Sequence, residues 1–270
     1  MVTLAAKIPG SGEKAMPLEL VTLPCLADNY AYLIHDPATG ATGVVDVPEA
    51  APILAELARR EWALSDIFLT HHHDDHIGGV AALRAATGAR VWGAAADRPR
   101  LPRLDMALAE GDAVPFGTET AQVLEVPGHT IGHIAYVFAA SGLAFTGDSL
   151  MAAGCGRLFE GRPEQMWESL QKLAALPDAT RICSGHEYTG SNLRFAASIE
   201  PANPAIAART LRVMKARAEG RPSVPSRLSG ERATNPFLRA ALPEMKLALG
   251  MAGESDAAVF AELRARKDRF

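Results

Sequence analysis

The sequence predicts an α/β fold, two packed sheets with helices outside them, followed by an all-α region, and three observations predict it. Short apolar alternations bounded by turn residues occur in two sets, each interleaved with helix-spaced segments. Histidine and aspartate recur where these strand-like runs end, which is where such scaffolds carry their chemistry. After about Tyr188 the strand pattern gives way to helical spacing punctuated by proline. Two sheets, each burying one face on the other and one under helices, account for the first two observations. The chain therefore divides into an N-terminal extension over residues 1–15, a main body over 16–187 and a helical region over 188–270. Gly10-Ser11-Gly12 gives the extension a flexible composition, and Met16 is a candidate natural start.

Residues 18–23, 30–34 and 42–46 read as consecutive strands of an antiparallel meander, separated by turn signals such as Asp36-Pro37 and Thr39-Gly40. Residues 50–62 have apolar positions at helical spacing, with Pro52 in the first turn. A buried strand over 66–69 follows, then a helix from about Ile77 and a strand near residues 90–92. Residues 112–126 and 134–147 again read as strands, 163–176 as a helix and 181–184 as a last strand. Beyond Tyr188, residues 191–199, 204–218 and 256–266 read as helices.

Composition narrows the functional class. The chain has 270 residues, 48% of them hydrophobic, ample for a large core. A net charge of −4 gives no overall basic character, so nucleic acid is not the expected partner. The charge is uneven: residues 1–190 carry 13 basic and 23 acidic side chains, and residues 191–270 carry 14 and 8. A basic tail on an acidic body fits either a region that meets an anionic ligand or a solvated helical face. Cys25, Cys155 and Cys183 are odd in number and lack CxxC spacing, so a reducing cytoplasm is expected rather than a disulfide framework. No apolar stretch approaches a membrane span and the N-terminus reads as no secretory signal, so no membrane partner is expected; a monomer is the expected state.

The most informative stretch is Thr70-His71-His72-His73-Asp74-Asp75-His76, between the strand over 66–69 and the following helix. Side chains two apart on extended backbone point the same way, so His71 and His73 converge while His72 points away. Asp75 and His76, where the chain turns into the helix, reach a second point beside the first. Imidazole and carboxylate together suit zinc and similar divalent ions. A surface histidine loop or tag is disfavoured, because the run is internal, interrupted by acids, and matched by His129, Asp148 and His186 after later strands. These seven residues are the candidate ligands. His35, His72 and His133 remain, and His133 reads as a supporting or core residue because its segment is strand-like. Seven N/O ligands exceed one tetrahedral zinc and need no thiolate.

Thr70 to His76, Pro127-Gly128-His129-Thr130, Thr146-Gly147-Asp148-Ser149-Leu150 and Gly185-His186-Glu187, in this order and spacing, together resemble the metallo-β-lactamase superfamily. The resemblance implies an αββα sandwich with a two-metal site at the sheet edges. It implies that His71, His73 and His129 hold the first metal, that Asp75, His76 and His186 hold the second, and that Asp148 bridges them. Zn2+ is the expected ion, with iron or manganese as alternatives. A water shared by two such ions is acidified from about 15.7 to near 7, which points to metal-assisted hydrolysis, with Asp75 placed to orient the hydroxide.

Further stretches narrow the resemblance. Cys25-Leu26-Ala27-Asp28-Asn29-Tyr30, residues 154–161, His186-Glu187-Tyr188-Thr189, Asn235-Pro236-Phe237-Leu238-Arg239 and residues 264–268 resemble hydroxyacylglutathione hydrolases, the glyoxalase II family, from Leu18 to Phe270. That resemblance implies hydrolysis of S-D-lactoylglutathione to glutathione and D-lactate, the second step of methylglyoxal detoxification. It also implies that Arg157, Phe159, Tyr188, Arg264 and Lys267 line the glutathione site. Arg157 stands where lysine is common, and Phe159 where tyrosine is common, which removes a hydroxyl donor. Independently, glutathione carries two carboxylates, for which Arg and Lys are natural partners. The rival readings are a persulfide dioxygenase-like enzyme with a single iron and a non-catalytic binding module. The helical tail and the full ligand set argue against the first, and the retention of every ligand against the second.

Overall fold

The structure, a computed structural model, describes residues 17–270. The extension expected over residues 1–15, and Met16, lie outside the described residues.

The first sheet holds six strands in chain order: β1 (Glu19–Cys25), β2 (Asn29–His35), β3 (Thr42–Val45), β4 (Leu64–Phe68), β5 (Arg90–Ala94) and β6 (Met106–Leu108). The first three form the expected antiparallel meander, and β3 to β6 then run parallel. Parallel neighbours need crossover segments. Here α1 (Ala50–Arg60) joins β3 to β4, and α2 (Asp74–Ile77) with α3 (Val80–Thr87) joins β4 to β5. The helix expected from Ile77 instead starts at Asp74 and is interrupted at Gly78 and Gly79.

The second half contains β7 (Ala113–Phe116), β8 (Glu119–Glu125), β9 (Ile134–Phe138), β10 (Leu143–Gly147) and a short hairpin of β11 (Leu150–Met151) and β12 (Gly154–Cys155). Then come α4 (Pro163–Ala174), β13 (Arg181–Ser184), α5 (Thr189–Ile199), α6 (Pro204–Ala218), β14 (Ser226–Arg227), α7 (Leu228–Thr234), α8 (Pro243–Leu249) and α9 (Asp256–Arg269). The second sheet runs in the order β14-β13-β10-β9-β8-β7. The segments 112–126 and 134–147, expected as strands, are hairpins that turn at Gly117 (φ 56°) and Gly142 (φ 62°). Glycine adopts these left-handed angles without steric cost. The tail is not wholly helical, because β14 joins the second sheet antiparallel to β13.

Alternation places both faces of each central strand in apolar surroundings. Tyr30, Tyr32 and Ile34 of β2 pack between the sheets with Phe68, Tyr136, Phe138 and Phe145, while Ala31 and Leu33 face Ile53 and Leu57 of α1 and Leu83 of α3. Truncating a fully buried aromatic such as Phe68 to alanine would cost about 3–5 kcal/mol. Ala135, Val137 and Ile182 on the outer face of the second sheet share one core with α4 and with Phe195, Phe237 and Phe260 of the helical region. The helical region is thus the outer layer of the second sheet. Among the described residues, no helix is long and apolar enough to cross a membrane.

Candidate metal centre and substrate cavity

The site forms where strands from both sheets end at one edge. β4 leads through Leu69 and Thr70 into His71, while β10 and β13 run parallel, so Asp148 and His186 emerge side by side. Bonds between the sheets hold these ends together. Tyr136 Oη donates to the Leu69 carbonyl (3.0 Å), Tyr32 Oη to that of Ser184 (2.6 Å) and the Tyr30 N–H to that of Gly185 (2.8 Å). A Cβ at Gly147, whose φ is +46°, would lie 2.5 Å from Thr70 Oγ1 and 2.9 Å from His133 Nε2. Only glycine allows this approach.

All seven candidate ligands come together. His73 Nδ1 lies 3.1 Å from His71 Nε2 and 3.0 Å from His129 Nε2, closing one triad. His186 Nε2 lies 3.3 Å from His76 Nε2 and 3.4 Å from Asp75 Oδ2, closing a second. Asp148 stands between them: Oδ2 is 3.5 Å from His129 Nε2 and 3.2 Å from His186 Nε2, and Oδ1 is 3.5 Å from His76 Nε2. Asp148 Oδ1 is buried and accepts no hydrogen bond among the described residues. Burying an ionised oxygen without compensation is costly, so this atom fits a cation.

Several residues that sequence reasoning left unassigned fix these ligands from behind. Asp46 Oδ2 lies 2.8 Å from His76 Nδ1 and accepts from Thr70 Oγ1 at 2.8 Å; Thr70 Oγ1 in turn lies 3.0 Å from His71 Nδ1. Asp28 Oδ1 lies 3.0 Å from His186 Nδ1, and the Arg157 carbonyl 2.8 Å from His129 Nδ1. Asn29 Nδ2 donates to Asp75 Oδ2 (3.0 Å). Such partners on the far ring nitrogen leave Nε2 free for a metal and fix ring orientation. Asp28 and Asn29 fall within a quoted motif, whereas Asp46 gave no local signal beyond ending a strand.

Burial is the largest influence on the imidazoles, and it holds His71, His73 and His129 below the ordinary histidine range. At His76 and His186 the carboxylates, Asp148 foremost, outweigh burial and push His186 up to about 11. Burial would raise Asp148, but the charges of His76, His186 and His129 hold it well below the carboxylate range. His186 does the same for Asp75 against burial, helped by Asn29. The carboxylates are therefore anions at neutral pH. Such anions, gathered with imidazoles, suit a divalent cation.

The remaining histidines behave as expected. His72 turns away, with Nδ1 2.9 Å from Asp97 Oδ2. His133 stacks on His71 (4.7 Å) and accepts the Asp148 N–H at Nε2 (3.1 Å). His35 stacks on Trp62 at 4.1 Å.

A cavity of about 750 Å3 runs from this cluster to a group of cations, and Arg157, Phe159, Tyr188, Arg264 and Lys267 all line it. Phe159 meets the rings of His73 and His129 edge-on (5.6 and 5.3 Å), and Tyr188 stacks on His186 at 4.7 Å. Arg264 donates from Nη1 to the Cys155 carbonyl (2.9 Å) and Sγ (3.8 Å) and from Nε and Nη2 to Asp268 (3.1 and 2.8 Å), which leaves one N–H, on Nη2, for a ligand. Arg194 also lines the cavity. It was missed because one arginine on a helix reads as a solvated charge. Burial, then the charges of Arg264, Arg194 and Arg157, push the Lys267 ammonium down to about 8.

The metallo-beta-lactamase superfamily model matches residues 31–186, and the hydroxyacylglutathione hydrolase C-terminus model matches residues 187–270. The chain is 67% identical to a hydroxyacylglutathione hydrolase of Cereibacter sphaeroides over 255 residues, 94% of this chain and 100% of that one. The chain belongs to the hydroxyacylglutathione hydrolase family. A Ruegeria pomeroyi member is 60% identical with the same coverage. Among solved structures, ETHE1 from Myxococcus xanthus superposes with a TM-score of 0.64 at 26% identity, covering 93% of this chain and 90% of that one. TTHA1623, solved in a di-iron-bound form, gives 0.53 at 32% identity, covering 62% and 91%. Membership in the hydroxyacylglutathione hydrolase family, with the His/Asp clusters above, makes the chain a divalent-metal-binding hydrolase of metallo-β-lactamase fold.

Proposed function

We propose that the chain hydrolyses the thioester of S-2-hydroxyacylglutathiones, S-D-lactoylglutathione foremost, to glutathione and the hydroxy acid. The observation that carries this reading is the single cavity joining the seven-ligand cluster to Arg157, Arg194, Arg264 and Lys267. His71, His73 and His129 would hold one ion, Asp75, His76 and His186 a second, and Asp148 both. Zn2+ suits this N/O set, and iron is supported by the di-iron form of a relative. Two bound divalent ions supply an acidified water and a Lewis acid for the thioester carbonyl.

The chain's own residues do the rest. Asp75, ionised and fixed by Asn29, faces the cavity and would orient the attacking water. Arg157, Arg194, Arg264 and Lys267 bind the two glutathione carboxylates and so align the thioester over the cluster. Tyr188 and Phe159 wall the passage between the ends. The departing thiol has a pKa near 8.5, so it leaves as thiolate without a general acid. Residues 16–187 would form the catalytic part and 188–270 the glutathione-binding part of a cytoplasmic monomer. A mononuclear iron enzyme is less well supported, because it leaves the second triad without a role.

The test is the loss of thioester absorbance on adding purified protein to S-D-lactoylglutathione, before and after a chelator. Turnover that stops on chelation is expected. A fully metal-loaded protein that leaves the thioester intact would sink the substrate claim.

A further inference from the structure

The β11–β12 hairpin begins two residues after Asp148 and ends two residues before Arg157. It therefore sets where the carboxylate between the triads lies. It also sets where the Arg157 carbonyl meets His129 and where the Arg157 side chain enters the cavity. Strands of two residues have too few ladder bonds to fix their own shape.

Side chains of the helical region meet the hairpin's backbone instead. Asn235 Nδ2 donates to the carbonyls of Met151 (3.2 Å) and Gly154 (2.9 Å). Asn192 Nδ2 donates to that of Ala152 (3.0 Å), and Arg264 Nη1 to that of Cys155 (2.9 Å). The Ala153 N–H donates to Glu231 Oε2 (2.7 Å). Residues 151–155 are thus bonded, one after another, by four side chains from three parts of the helical region: Asn192 of α5, Glu231 and Asn235 at the end of α7, and Arg264 of α9. At the tip, Ala153 has φ +55°, a left-handed conformation that a non-glycine residue keeps only where its surroundings over-determine it. Asn235 and Glu231 are fully buried and do not line the cavity. Asn235 Oδ1 accepts the Phe237 N–H (3.1 Å), and Glu231 is paired with the buried Arg209.

We propose that Asn235 and Glu231 are positioning residues for the metal centre: by holding the hairpin from the helical side they fix Asp148 and Arg157, and so couple the substrate-binding layer to the ions. This gives the Asn235-Pro236-Phe237-Leu238-Arg239 motif a task that no contact with substrate supplies. The inference rests on the metal-centre reading proposed above.

The experiment compares Asn235→Ala with Met245→Ala, a buried residue of the same core whose side chain bonds nothing in the hairpin. Zn2+ retention is measured by titration with a chelator, and kcat and KM at saturating Zn2+. Both variants should lose thermal stability. Only Asn235→Ala should also weaken Zn2+ retention, by about tenfold or more, and lower kcat with the metal saturated. Asn192→Ala, which removes its bond to the Ala152 carbonyl, should shift Zn2+ retention less in the same direction, and it decides the matter if Asn235→Ala does not fold. Wild-type Zn2+ retention in the folded variant overturns the proposal. Wild-type protein that binds Zn2+ but leaves the thioester intact would remove the substrate reading and leave the Zn2+ comparison standing. Wild-type protein that binds no Zn2+ overturns both.

Discussion

The two ends of the cavity are built differently. At the metal end His76, His186, His129 and Asp75 are each fixed from behind, by Asp46, Asp28, the Arg157 carbonyl and Asn29, and most of these groups are buried. At the far end Arg157 and Arg194 make no side-chain hydrogen bond or ion pair among the described residues. Lys267 rests over the rings of Phe195 and Phe270 with one long bond to a carbonyl (3.3 Å). Phe159, which walls the passage between the ends, is 62% exposed. Fixed geometry is found where bonds would change, because preorganised charge requires no reorganisation during reaction. Arg264 alone among the far-end cations is tied down, by the Cys155 carbonyl and Asp268; the others are loosely held, which suffices to hold carboxylates. Substitutions at the metal end should therefore act on kcat and metal content, and those at the far end on KM.

The largest expected effect is that of Asp148→Ala, which removes the carboxylate common to both triads. Turnover should fall on the order of a thousandfold, with metal content falling in elemental analysis. Activity within tenfold of wild type would break the contrast at its stronger end. Next is Gly185→Ala, whose Cβ would collide with Asp148 Oδ1 and the His76 ring. It should release the ion proposed for Asp75, His76 and His186 before the other, as followed by chelator titration; equal loss of both would mean that the triads are not separate.

At the far end, Lys267→Ala should raise KM about tenfold and leave kcat nearly unchanged, as expected for a charged hydrogen bond remote from the scissile bond. Adding Arg264→Ala should raise KM further and also lower kcat, because Arg264 supports the Cys155 carbonyl. The pH profile sharpens the same point. The Lys267 ammonium is pushed down to about 8, so its cationic form is complete below that pH and is lost above it. KM should be flat on the acid side and rise above about pH 8, and Lys267→Arg should abolish the rise. Phe159→Tyr has the smallest effect. Restoring a hydroxyl at an exposed wall should lower KM by roughly twofold to tenfold, the worth of one net hydrogen bond.

The parts legible in the sequence are those written in contiguous residues. His71, His73, Asp75 and His76 lie within six positions, and the strand alternation of Tyr30 to Ile34 shows in the residues themselves. β6, β11, β12 and β14 were not legible, since strands of two or three residues display no period. The seven-residue helices α7 and α8 were hidden among prolines for the same reason. Asp46 and Asn192 act only through partners that lie 24 to 40 residues away in sequence, so no local pattern marks them. Arg264, expected to contact glutathione, also spends part of its fork on the Cys155 carbonyl and Asp268, far from it or unmarked in sequence.

The most direct test of the account measures metal content and turnover on one sample, titrating divalent ion into metal-free protein while following S-D-lactoylglutathione cleavage. The account predicts that cleavage reaches its plateau only when two ions are bound per chain. Full activity at one ion per chain, with further metal adding nothing, would contradict it.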